Sequence, residues 1–183
     1  MGITAGKPFK ITLKQNGRSR ERWQVKLWDD ASGVRLDMDS FARLVALMPN
    51  GVTPAALSAL TDEQLRGVGM SRQKIAYFRD LSGKSLSGIV PLDALDAMTD
   101  EEVIAALTQV KGIGRWSAEM FLMFRLHRPD VLPVDDLGIV NAIKNVYRLR
   151  KRPTAERIRK IGKAWAPYRS VACWYLWRSL DNE

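Results

Sequence analysis

Leu107-Thr-Gln-Val-Lys-Gly-Ile-Gly-Arg-Trp-Ser-Ala118 is the stretch that decides the fold of this 183-residue chain. It predicts a helix, a tight turn at Gly112-Ile113-Gly114, and a second helix that begins at Arg115. Glycine adopts positive φ angles easily and has no Cβ to keep a phosphate away from the backbone. The unpaired amides and positive dipole end of the second helix would face that phosphate. The stretch therefore indicates contact with a nucleic-acid backbone, although an isolated Gly-x-Gly turn is more often a plain helix end.

A second informative stretch, Leu132-Pro-Val-Asp-Asp-Leu-Gly-Ile139, begins eighteen residues after Gly114. It predicts a loop with two adjacent aspartates, Asp135 and Asp136, at the start of a helix. Either aspartate suits the N-cap position, because its carboxylate accepts hydrogen bonds from amides of the first turn. The two aspartates could also take one role each.

The hairpin and the aspartate loop together resemble the signature of the helix-hairpin-helix DNA glycosylase superfamily. Two further stretches, Gly67–Tyr77 and Trp165–Trp177, make the chain similar to the 3-methyladenine DNA glycosylase II branch. The resemblance covers about residues 41–180. It implies an all-α fold with two helical lobes around a cleft. It also implies excision of alkylated bases, of the 3-methyladenine and 7-methylguanine type, from double-stranded DNA.

By this resemblance Asp136 matches the catalytic carboxylate, which stabilises an oxocarbenium-like sugar once the nucleotide is flipped out of the duplex. Asp135 is expected to cap the helix or to accept a hydrogen bond behind the catalytic group. Trp116 stands where glycosylases with lyase activity have a Schiff-base lysine, so a monofunctional hydrolase is expected. Trp116 and Met120 are assigned to the base pocket, and core packing is the alternative for both.

The resemblance also assigns the hairpin to DNA and to a cation. The residues expected to bind DNA are Lys111, Gly112, Ile113, Gly114, Arg115 and Ser117. The main-chain amides of Gly112, Gly114 and Ser117 match the phosphate contacts. A monovalent cation, Na⁺ or K⁺, is expected on the main-chain carbonyls of Thr108, Val110 and Ile113, and no other cofactor is expected. Tyr168, Arg169 and Trp174 are placed in the cleft by resemblance alone.

Charge adds a separate indication of a polyanionic partner. The net charge is +9, and residues 141–183 contain eleven Lys or Arg against three acids. The alternative is a solvated helical surface. Cys173 is the single cysteine, which excludes a disulfide within the chain and a four-cysteine metal site. No stretch approaches a membrane span and no signal peptide is recognisable, so a cytoplasmic monomer is expected.

The periodicity from residue 40 onward is helical throughout. Short helices are expected to begin at Ser40, Thr53, Thr61, Pro91 and Thr99, and a longer helix is expected to begin at Ser71. Longer helices are expected at about 115–126, 136–147, 154–164 and 168–180. The expected domains are an atypical segment over 1–40 and a glycosylase domain over 41–183, with one lobe at 41–130 and the second at 131–183.

Residues 10–40 depart from the helical pattern. Ile11-Thr-Leu13 and Trp23–Trp28 alternate apolar and polar residues, which fits either a hairpin around Asn16-Gly17 or a basic arm. Family members have an apolar wedge helix before the region that matches Phe41, and residues 11–40 do not read as that helix. The alternative function is therefore a non-enzymatic helix-hairpin-helix protein that binds DNA but has lost its wedge. A third possibility is a helical scaffold with a basic face.

Overall fold

The structure is a computed structural model that describes residues 38–180. Within this range the chain forms α-helices and two short 3-10 turns, and no strand. The helices are α1 (Met38–Ala46), α2 (Pro54–Ala59), α3 (Asp62–Gly67), α4 (Arg72–Leu86), α5 (Asp100–Leu107), α6 (Arg115–Phe124), α7 (Leu137–Val146), α8 (Ala155–Gly162) and α9 (Arg169–Leu180). The 3-10 turns are Leu95–Ala97 and Lys163–Trp165. The all-α fold is confirmed.

Threonine side chains begin several of the helices, as the sequence predicts. Thr53 Oγ1 accepts a hydrogen bond from the Ala56 amide at 3.1 Å, with Pro54 as the first helical residue of α2. Thr61 and Thr99 form reciprocal capping boxes at the start of α3 and α5. These caps satisfy amides that have no partner inside the helix, so each helix starts where its threonine is placed.

Two predicted helix starts are wrong. Ser40 lies inside α1, which begins at Met38, and its buried side chain faces Gly69, where a Cβ would come within 2.8 Å of Ser40 Oγ. Pro91 does not open an α-helix, because Leu92–Ala94 form a turn and Leu95–Ala97 a 3-10 turn. Leu95 is buried while Leu92 is exposed, so the apolar residues there do not form one buried stripe.

Contacts within the chain define two compact units, and the boundary between them in the sequence lies between Ser82 and Gly83. The first contains α1 to α3 and most of α4. Its core is a cluster of leucine, methionine and branched side chains: Leu44, Met48, Leu57, Leu60, Leu65, Val68, Met70 and Ile75. Arg79 links α4 to the end of α2 and to the start of α3. Its guanidinium donates to the Ser58 carbonyl at 2.9 Å and to Asp62 Oδ1 at 3.1 Å.

The second unit contains α5 to α9 and both stretches from which the sequence argument began. α5 packs against α6, and α7 packs against α9. The residues fully buried here include Val103, Leu122, Ile139, Ile143, Ile158 and Cys173. Packing of α7 on α9 places the aspartate loop beside the C-terminal helix, which decides what surrounds Asp136.

Several expectations fall outside what the structure tests. The hairpin or basic arm predicted before residue 38 lies outside the described residues. The lobe boundary at 130/131 and the cleft stay predictions, and each unit is described by itself. Within residues 38–180, no helix combines the length and hydropathy needed to cross a bilayer.

Candidate active site

The predicted hairpin is present between α5 and α6. Thr108 ends α5, Gly112 has a φ of +83°, and Gly114 is the N-cap of α6 in an extended conformation. Gly114 has no side chain to accept hydrogen bonds, whereas Thr and Asp side chains cap α2, α3, α5, α7 and α8. The amides of Arg115, Trp116 and Ser117 therefore lack a partner within α6. The positive end of this helix is available to an anion.

Asp136 is the centre of a network of three donors. Its Oδ1 accepts the Ile139 amide at 2.7 Å and the Trp177 indole N–H at 2.8 Å. Its Oδ2 accepts the Trp116 indole N–H at 2.7 Å. A carboxylate has about four acceptor positions, so one position, on Oδ2, is left for a substrate or a water. The side chain is buried, with 8% exposure, and three bonds fix its orientation.

The N-cap of α7 is Asp136 and not Asp135. Asp135 is exposed, so the role of helix cap suggested for it is wrong. The capping bond and the predicted catalytic role of Asp136 do not exclude each other, because Oδ1 makes the cap while Oδ2 bonds Trp116. Since Trp116 is two residues beyond Gly114, this bond also joins the carboxylate to the hairpin. The sequence-predicted pair of Trp116 and Asp136 is thus brought together.

Trp177 is the site residue that the sequence analysis missed. Trp177 lies one helical turn after the buried Cys173, on the same side of α9. Its ring stacks on that of Phe124, with the two ring centroids 6.0 Å apart. Gly138 allows this approach, because a Cβ there would lie 2.9 Å from Trp177 Cδ1 and 3.0 Å from Asp136 Oδ1. Helical spacing from Cys173 could have indicated that Trp177 faces inward, but not that its indole reaches Asp136.

Arg115 uses its side chain inside the protein. The guanidinium donates to both carboxylate oxygens of Glu101, at 3.2 and 2.7 Å, and its Nε donates to Glu119 at 3.1 Å. Burial raises the pKa of Glu119, and the neighbouring Arg115 opposes that shift. A DNA contact by Arg115 is thus better supported for its main-chain amide than for its guanidinium.

The other predicted residues occupy mixed environments. Met120 is buried at 6% exposure, which agrees with the alternative of core packing, and Ser117 is buried as well. Lys111 and Gly112 are exposed, and Ile113 is half-buried. Arg169 pairs with Asp130 at 2.6 Å, and Trp174 is exposed. The base-pocket and DNA-binding assignments stay predictions.

Cys173 has no features of a nucleophile. Burial, with a smaller effect from the Asp136 charge, raises the pKa of its thiol to about 12. Its Sγ lies 4.0 Å from the Val131 carbonyl in the core. Across the described part of the chain, no group of three or more His, Cys, Asp or Glu side chains is arranged to hold a metal ion. Asp136 is therefore the side chain here with the clearest potential for chemistry.

Comparison with protein families gives a match over residues 38–167 to the HhH-GPD superfamily base excision DNA repair proteins. The chain belongs to this superfamily. The matched range includes the hairpin, Trp116 and Asp136 of this HhH-GPD protein but ends before Trp177.

Two relatives of this HhH-GPD protein have names that refer to DNA-3-methyladenine glycosylases. DNA-3-methyladenine glycosylase 1 of Schizosaccharomyces pombe is 39% identical over 142 residues, which are 76% of this chain and 62% of the relative. A putative DNA-3-methyladenine glycosylase of Bacillus subtilis is 36% identical over 70% of this chain and 45% of its own length. The chain thus spans about half to two thirds of these curated relatives.

Solved structures support the same fold. The Schizosaccharomyces pombe 3-methyladenine DNA glycosylase, in complex with abasic DNA, matches with a TM-score of 0.64 at 38% identity, over 76% of this chain and 69% of that one. The DNA-3-methyladenine glycosidase of Bacillus halodurans matches with a TM-score of 0.72 at 37% identity, over 81% of this chain and 70% of that one. The HhH-GPD fold is therefore established for this chain.

Proposed function

We propose that this chain is a monofunctional DNA glycosylase that hydrolyses the N-glycosidic bond of alkylated bases in duplex DNA. One observation carries the proposal. The buried carboxylate of Asp136 is held by Trp116, Trp177 and the Ile139 amide, and an acceptor position on Oδ2 is left over. The names of the two relatives described above, both DNA-3-methyladenine glycosylases, support alkylated bases as the substrate class.

The proposed reaction needs charge stabilisation more than an acid. An alkylated base carries positive charge, so it leaves as a neutral molecule with the electrons of the bond to the sugar carbon. The sugar becomes oxocarbenium-like, and a water forms the new bond to carbon and gives up a proton. A fixed carboxylate with little water around it stabilises that cation. The remaining acceptor position on Asp136 Oδ2 would orient the water or receive its proton.

The hairpin would hold the DNA strand next to the flipped nucleotide. The unpartnered amides of the first turn of α6 suit a phosphate, and they lie within a few residues of Trp116. This arrangement links the strand contact to the carboxylate through a single side chain, since the Trp116 indole bonds Asp136.

A monovalent cation would fit the same turn. The main-chain carbonyl oxygens of Thr108, Val110 and Ile113 are neutral oxygen ligands of the kind that bind Na⁺ and K⁺. The Val110 carbonyl accepts the Ile113 amide at 3.0 Å and keeps a second lone pair for an ion. When bound, the ion would supply positive charge beside the DNA phosphate.

Trp116 supports hydrolysis without strand cleavage. Its indole N–H is bonded to Asp136, and an indole cannot form an imine with the sugar. The product would therefore be an intact abasic site. A monomeric state and a cytoplasmic location stay predictions.

Release of free base from methylated duplex DNA tests the function. We expect the purified 183-residue chain to release 3-methyladenine and 7-methylguanine, and to leave strands that break only after alkali treatment. Duplexes with deaminated or oxidised bases serve as the comparison and should release far less. Strand breaks without alkali would contradict the monofunctional assignment. DNA binding without release of any base would favour the non-enzymatic alternative.

Replacement of Trp177 by phenylalanine tests the positioning role of the indole N–H. The ring that stacks on Phe124 is kept, while the donor to Asp136 Oδ1 is lost. Because Ile139 still holds that oxygen, we expect about a tenfold lower single-turnover excision rate, within the range for a hydrogen bond to a charged group. The dissociation constant for DNA should not change.

Tyr175→Phe is the control for this substitution. It removes one hydrogen-bonding group from an aromatic side chain of the same helix, at an exposed position, and keeps the ring. Its excision rate should stay near that of the wild type. Equal losses in both variants would mean that the Trp177 indole has no special role.

A further inference from the structure

A group of exposed cations lies on the segment between α7 and α8 and on α8 itself. We call it the α7–α8 basic surface and define it by Arg148, Arg150, Lys151, Arg152, Arg157 and Lys160, all of them exposed. Glu156 is the single acid between residues 141 and 170. Thr154 caps α8, so Arg157 and Lys160, three residues apart, share one side of that helix.

These cations differ from three arginines elsewhere in the second unit. Arg115 pairs with Glu101 and Glu119, Arg128 lies 3.5 Å from Asp100, and Arg169 pairs with Asp130. Within residues 38–180, none of the six side chains of the α7–α8 basic surface makes an ion pair or hydrogen bond. Neighbouring like charges repel one another when they lie within a Debye length of about 8 Å. No contact among the described residues therefore accounts for this group of like charges.

We propose that the α7–α8 basic surface binds phosphates of the duplex that flanks the flipped nucleotide, as a second DNA contact apart from the hairpin. The inference rests on the proposed function, which supplies duplex DNA as the polyanion. α7 begins directly after Asp136 and has ten residues, so its far end lies about 15 Å away at 1.5 Å per residue. Phosphates of one strand are about 3.4 Å apart along the axis, so a distance of this order is within the length of a short duplex.

The contact would be electrostatic and independent of sequence. Exposed Lys and Arg side chains on a loop and a helix side offer point charges to phosphates, and each phosphate neutralised releases condensed counterions. Such a contact raises affinity for long duplexes and leaves the chemical step at Asp136 unchanged. The excess of positive charge at the C-terminal end of the sequence would thereby have a defined task.

Salt dependence of DNA binding tests the proposal. We compare the wild type with Arg150→Gln/Arg152→Gln on a 25-base-pair duplex, with affinity measured over a series of salt concentrations. Log affinity falls as log salt rises, and the loss of two phosphate contacts should make this negative slope shallower by about 1.8, at 0.9 per contact. The excision rate from the saturated complex should be equal in the variant and the wild type.

Arg66→Gln/Arg72→Gln is the matched control, because it removes two exposed arginines from the first unit and changes net charge equally. An unchanged slope in the α7–α8 variant, or an equal change in the control, would overturn the proposal. Loss of binding to RNA or to an acidic peptide, with duplex binding intact, would overturn it as well. If no base is released but the salt dependence becomes shallower as expected, the proposed glycosylase function is wrong, whereas phosphate binding by the α7–α8 basic surface is supported.

Discussion

Asp136→Asn is expected to lower the single-turnover rate of base excision about 100- to 1,000-fold, the usual cost of losing one preorganised group that stabilises transition-state charge. The asparagine oxygen can still cap Ile139, so α7 should keep its start. The amide nitrogen would then face the Trp116 indole N–H, which donates to Oδ2 at 2.7 Å in the wild type. Both the negative charge and the fixed orientation are lost. Excision on methylated DNA and affinity for an abasic duplex should be measured together.

Asp135→Asn is the informative comparison. It removes the same charge one residue earlier, from an exposed side chain. Surface substitutions usually change stability by less than 0.5 kcal/mol, so we expect an excision rate within about twofold of the wild type. A large loss at residue 135 with normal activity at residue 136 would reverse the assignment of the two aspartates. Normal DNA affinity in both variants would show that chemistry and binding are separate.

Gly138→Ala is expected to reduce excision about 100-fold, the loss that a displacement of about 1 Å in a catalytic group can cause. The new Cβ would lie 2.9 Å from Trp177 Cδ1, 3.0 Å from Trp177 Nε1 and 3.0 Å from Asp136 Oδ1. Real Cβ atoms rarely come so close, so the indole or the first turn of α7 must move. Either movement breaks the 2.8 Å bond between Trp177 and Asp136. The single-turnover rate and the tryptophan fluorescence should change together.

Gly83→Ala controls for the substitution itself. Gly83 lies within α4, and a Cβ there meets nothing within 4 Å. Alanine in the interior of a helix is favoured over glycine by about 0.5–1 kcal/mol, so this variant should unfold at a slightly higher temperature with unchanged excision. If Gly138→Ala retains full activity, the close packing of Trp177 on α7 is not required for catalysis.

Local sequence signals were sufficient where a helix start depends on one side chain. Thr53, Thr61 and Thr99 cap helices as predicted, since a cap needs only residues up to three positions away. The same reasoning was wrong at Ser40, which lies inside α1 with its side chain against Gly69, a residue distant in the chain. It failed again at Pro91, where a helix would have needed a continuous buried stripe.

The sequence by itself determined the helical class and the hairpin with its two glycines, because these features depend on residues within short segments. The assignment of Asp136 and Trp116 to the active site came from the resemblance to the glycosylase family. Only the tertiary structure decided that Asp136 rather than Asp135 caps α7, and that Trp177, 41 residues further along, donates to the same carboxylate. The physical reason is that α7 packs on α9 through the gap left by Gly138, and no local pattern reports which indole will enter that gap.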